Sequence, residues 1–71
     1  MINTNKVKAR IVELGLTQAD IAKELGVATP TVSQKINNVR GMTVQEAFKI
    51  ANILKIEDDL FREYFFKNEI A

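Results

Sequence analysis

The sequence predicts an all-α fold of five helices, and three observations carry that prediction. Apolar residues recur at spacings of three and four along most of the 71-residue chain, which puts them on one side of successive helices. Threonines suited to N-caps precede several of these runs, and the few Gly and Pro residues fall at their ends or first turns. No alternating apolar–polar run bounded by turns occurs, so no sheet is expected.

The first helix is expected from about Asn5 to Leu14. Val7, Ile11 and Leu14 form its inward stripe, with Lys6, Lys8, Arg10 and Glu13 on the other sides. Asn3 or Thr4 can cap it, and Gly15 stops it by tolerating positive φ. The second helix opens at Thr17, and Asp20 three residues later completes a capping-box-like pair that also suits the helix dipole. Ile21, Ala22 and Leu25 face inward, and small Ala22 permits close approach of a crossing helix. Gly26 ends this helix, with Val27 filling the space beneath the turn.

The third helix starts at Ala28 or Thr29. Pro30 is tolerated there because first-turn amides have no intrahelical partner to lose. Val32 and Ile36 are its buried anchors, which leaves Pro30, Gln34 and Asn37 on the opposite side, flanked by Thr29 and Ser33. A loop from Asn38 to Met42 leads to Thr43, which forms a capping box with Glu46. Val44, Ala47, Ile50, Ala51 and Leu54 make the fourth helix the most hydrophobic and hence the central one. The last segment, from about Asp58 to Lys67, carries Leu60, Phe61, Tyr64, Phe65 and Phe66, of which Leu60, Phe61 and Tyr64 can close the core from below. Adjacent Phe65 and Phe66 cannot both pack on one neighbour. Phe66 therefore either folds back with Ile70 or joins a self-association face.

Composition narrows the function. At this length, with 46% hydrophobic residues, residues 1–71 are expected to form a single domain. Such a domain buries only about 60% of its unfolded surface and is marginal unless it pairs. The chain has no Cys and no His, which removes disulfides, the common zinc ligands and the usual nucleophile–base pairs. Asp58 and Asp59 read as dipole-satisfying residues at a helix start, not as an acid pair. No enzyme activity, metal or cofactor is expected. The absence of a long apolar run or a leader-like start predicts a soluble, intracellular protein with no membrane partner. Residues 1–40 hold six basic and three acidic groups, whereas residues 41–71 hold four basic and six acidic ones. The positive excess lies in the half with the polar-faced third helix, as phosphate contact would require.

Residues 17–37 thus read as two short amphipathic helices joined at Gly26, the second turning polar side chains outward. A helix can report base identity only if it is braced from behind and polar in front. The stretches Leu16-Thr17-Gln18, Ile21-Ala22, Leu25-Gly26-Val27, Pro30-Thr31-Val32-Ser33 and Ile36-Asn37-Asn38 follow one another in order, before the helix of Ala47, Ile50, Ala51 and Leu54. This ordered set resembles the Cro/repressor-type (XRE-like) helix-turn-helix family of phage and bacterial regulators. The overall length, the KINN stretch and the EYFF stretch are most similar to small Cro-like proteins of phages of Gram-positive bacteria. Such proteins act in lysis–lysogeny switches.

The resemblance implies a five-helix, lambda-repressor-like DNA-binding domain with its helix-turn-helix at about residues 17–37. The third helix would lie in the major groove, with Thr29, Pro30, Thr31, Ser33 and Gln34 in the DNA-binding set. Gln34 could pair bidentately with an adenine edge. Gln18 matches a position that contacts phosphate and braces the reading helix. Asn37 and Asn38 would hold backbone phosphates, with Lys35 and Arg40 adding charge. Two features depart from the family pattern. Ala28 stands where a capping serine is usual, so Thr29 either caps or reads bases, and the reading helix has no arginine. The implied function is a sequence-specific DNA-binding repressor of a phage or mobile-element genetic switch, in the cytoplasm of a bacterial host. Its implied partners are double-stranded operator DNA and a second copy in a homodimer. The alternative is an antirepressor or co-regulator that docks the same surface on a phage repressor protein.

Overall fold

The computed structural model describes residues 2–66, which form helices and no strands. In order they are α1 (Thr4–Glu13), α2 (Gln18–Leu25), α3 (Thr29–Ile36), α4 (Val44–Ile53) and α5 (Phe61–Phe65). A 3-10 turn at Asp58–Leu60 leads directly into α5. The single last helix expected from the sequence is therefore split, its first turn tightened to 3-10 geometry and lacking a side-chain cap. Its expected end at Lys67, and any contact of Phe66 with Ile70, lie outside the described residues.

Local chemistry sets the other boundaries. Asn3 caps α1 by accepting the Lys6 N–H, and Gly15 follows its end at φ +70°. At α2 the capping box is complete. Thr17 Oγ1 accepts the Asp20 N–H at 3.2 Å, and Asp20 Oδ2 accepts the Thr17 N–H at 2.8 Å. Gly26 closes α2 in the left-handed region at φ +72°, where a side chain would be strained. Thr43 and Glu46 repeat the box at α4, at 3.1 Å and 2.9 Å.

These helices bury one cluster built from Val7 and Ile11 of α1, Ile21 and Ala22 of α2, and Val32 and Ile36 of α3. Ala47, Ile50 and Ala51 of α4, then Leu54, Phe65 and Ile2, complete it. Leu14, Leu25, Val27, Phe61 and Tyr64 pack against its edge, partly buried. Two expectations of burial fail. Val44 is 55% exposed because it opens α4, at the end of the stripe where no other helix covers it. Leu60 is 39% exposed, since the 3-10 turn rotates it out of the register a continuous α-helix would give.

Long-range polar ties close the molecule. The Arg10 guanidinium donates from Nε to the Leu54 carbonyl at 2.9 Å and from Nη2 to the Lys55 carbonyl at 3.3 Å. It thereby satisfies carbonyls left open at the C-terminal end of α4. At the start of the chain, Asn3 N–H donates to the Tyr64 carbonyl at 2.7 Å, joining the first residues to α5.

Candidate nucleic-acid interface

α2, the Gly26 turn and α3 form the unit that presents a surface. Val32 and Ile36 on α3 are fully buried, as is Ile21 on α2, and Ala22 lies beside them with almost no exposure. With its apolar side fixed, α3 turns Thr29, Pro30, Gln34 and Asn37 outward, all exposed, with Thr31 and Ser33 half-buried at the margins. Gln18 is half-buried at the first position of α2. Thr29, Pro30, Ser33, Gln34 and Asn37 are thus brought onto one side of one helix, held there by the packing of its opposite side.

The start of α3 settles how Thr29 is used internally. Ala28 is the N-cap and supplies no side-chain hydrogen bond, and Thr29 is already the first helical residue. Its hydroxyl does not close the helix and is left on the outer surface.

Two residues expected to meet phosphate, the buried Lys35 and the exposed Asn38, have hydrogen-bond partners within the protein. Lys35 is only 9% exposed. Its Nζ donates to Glu46 Oε1 at 2.9 Å and to the Gly41 carbonyl at 3.1 Å. To reach a phosphate it would have to abandon both partners. Asn38 adopts φ +62° just after α3, a conformation asparagine tolerates better than most residues. Its Oδ1 accepts the Ile2 N–H at 3.0 Å, while its Nδ2 donates to the Ile2 carbonyl at 3.1 Å and to Thr4 Oγ1 at 3.2 Å. Thr4 Oγ1 in turn donates to the Ile36 carbonyl at 2.6 Å. Asn38 is a clamp between the end of α3 and the first residues of the chain. The sequence carries a trace of it, since an asparagine after a helix end favours the left-handed region. Nothing local names Ile2 as its partner.

Asn37 is exposed but donates Nδ2 to the Ser33 carbonyl at 2.8 Å, so part of its amide serves α3 itself. The Gln34 backbone carbonyl accepts the Val39 and Arg40 N–H groups at 2.8 Å and 3.1 Å, and its side chain is exposed. Arg40 is exposed in the loop after α3.

The charge excess of residues 1–40 is correspondingly thinner at the surface than in the sequence. Lys6 pairs with Glu63 at 3.5 Å, Arg10 with Glu13 at 2.9 Å and Lys35 with Glu46 at 2.9 Å. Among the described residues, Lys8, Lys23 and Arg40 are the cations of this half outside such pairs. Glu46 has its carboxyl held below the ordinary glutamate range, first by the Thr43 N–H it accepts and then by Lys35.

Phe48 stacks on Phe61 at 4.7 Å, and Phe61 meets Phe65 at 4.9 Å and Phe66 at 5.7 Å. Phe65 enters the core, whereas Phe48 and Phe66 remain about half exposed. No cluster of metal-ligating side chains occurs among the described residues, and no helix there is long and apolar enough to cross a membrane. Compared with known families, residues 7–61 match a model described as helix-turn-helix. Neither the curated proteins nor the solved structures give a match.

Proposed function

Because the chain belongs to the helix-turn-helix family of DNA-binding regulators, we propose that it is a Cro-like repressor of a phage or mobile-element switch. On this reading it acts in the bacterial cytoplasm, without enzymatic activity, on a double-stranded operator. The observation that carries the reading is the division of α3 into two sides. Val32 and Ile36 are fully buried, while Thr29, Pro30, Gln34 and Asn37 are exposed together. In the major groove, Gln34 and Thr29 would meet base edges, with Pro30, Thr31 and Ser33 beside them. Gln18 and Arg40, with Lys8 and Lys23 more distantly, would supply the phosphate contacts that fix register.

A homodimer on a two-fold operator fits the half-exposed Phe48 and Phe66, which both meet Phe61. Half-sites would then lie about one helical turn apart. The test is a titration of the protein against the intergenic DNA flanking its own gene at low salt. Sequence-preferring binding with a paired footprint supports the proposal, and failure to prefer any of that DNA counts against it.

One observation favours a second reading. With Lys35 turned into its ion pair, the outer side of α3 carries no cation, and such a surface suits a protein as well as a groove. The protein would then be an antirepressor whose α3 docks on the DNA-binding domain of a phage repressor. A stable complex with that repressor that excludes DNA would select this reading. A DNA shift by the protein alone would remove it.

A further inference from the structure

We infer that the base pairs facing α3 in the operator are A·T pairs. The inference rests on the DNA-reading role proposed above and specifies its ligand. Each base presents a different edge in the major groove, so the side chains offered to it limit what can be read. Guanine shows two acceptors, which are matched by the paired donors of arginine or by a lysine ammonium. α3 contains no arginine, and its one lysine is held by Glu46 and the Gly41 carbonyl. Cytosine shows a donor best met by a carboxylate, and α3 contains no Asp or Glu. Neither half of a G·C pair finds its strongest partner on this helix.

Adenine and thymine do. The exposed Gln34 side chain joins a donor and an acceptor on one amide, complementary to adenine N6 and N7. Thr29 and Pro30, exposed in the first turn of α3, offer a methyl group and a pyrrolidine ring to the thymine methyl. Loss of Lys35 from the surface therefore does more than lower charge. It takes away the side chain that would favour guanine.

Selection of the full chain on random duplexes at low salt, followed by titration of the preferred duplex, tests this. A·T pairs should be enriched at the positions whose preference changes in Gln34→Ala. At those positions, replacing adenine by 7-deazaadenine, which removes one of the two hydrogen bonds of the bidentate contact, should weaken binding by about 2- to 12-fold. Replacing a contacted thymine by uracil should also weaken it, and Gln34→Arg should move the preference toward guanine. Enrichment of G·C at the Gln34-dependent positions would overturn the inference while leaving DNA reading intact, as would indifference to both base replacements. Failure to select any duplex would overturn the DNA-reading role together with it.

Discussion

The N-termini of α2 and α4 are closed by their own side chains, and that of α3 is not. Thr17 with Asp20 and Thr43 with Glu46 each make a complete capping box. Ala28 at the head of α3 supplies nothing beyond its backbone. The difference separates two ways of holding a helix. α2 and α4 are secured locally, by residues three apart, whereas α3 is secured by its neighbours. Val32 and Ile36 fix it from behind, Lys35 ties it to Glu46, and Thr4 and Asn38 fasten its C-terminal end to the start of the chain. The outer side and first turn of α3 are what this leaves open.

The largest effect should come from the residue that serves both kinds of attachment. Glu46 caps α4 and also pairs with Lys35, whose side chain is 10% exposed. Glu46→Ala removes a cap and leaves the shielded Lys35 ammonium with only the Gly41 carbonyl, so it should cost about 2–4 kcal/mol in chemical denaturation. A cost no greater than that of a simple cap would show that the tie from α3 to α4 contributes nothing.

Acid should produce a weaker form of the same break. The Glu46 carboxyl lies below its ordinary value of 4.5 in the folded protein. Its unfolded counterpart therefore takes up a proton first as pH falls. The stabilisation is full above the ordinary carboxylate range and is lost as pH drops through the depressed folded value. Melting temperature followed against pH should fall in this acid window, and Glu46→Gln should remove part of that fall. An unchanged acid limb in the variant would contradict the assignment.

Thr17→Ala and Thr43→Ala probe the local attachments alone, and each should lower stability by about 1 kcal/mol. The smallest effect has the opposite sign. Ala28→Ser supplies α3 with the cap it lacks and should raise stability by about 0.5–1 kcal/mol. Melting curves for all three variants check the contrast. No gain from Ala28→Ser would mean that the start of α3 is already satisfied in some other way.

This contrast also explains what the sequence discloses. Both capping boxes are legible because their partners stand three residues apart. So are the Gly26 turn and the two sides of α3, which follow from spacing and from the freedom of glycine. The clamp of Asn38 on Ile2 and the Arg10 closure of α4 join residues 36 and 44 positions apart. No periodicity announces such pairs. Lys35 and Asn38 suit phosphate contact by residue type, and spacing does not disclose the partners they have within the protein, Glu46 at 11 positions and Ile2 at 36. Val44 follows the spacing rule but lies at a helix end, where the stripe continues and the covering helix does not. Phe48 carries no signal in the sequence because its significance depends on Phe61, a residue of another helix.

The central claim is that the open side of α3 recognises a macromolecule and does not hold the fold together. Its most direct test is the double substitution Thr29→Ala and Gln34→Ala, measured by melting and by fluorescence-anisotropy titration with the preferred operator duplex. The melting temperature should stay close to that of the parent chain, while affinity falls at least tenfold. Parental affinity in the folded variant would contradict the claim.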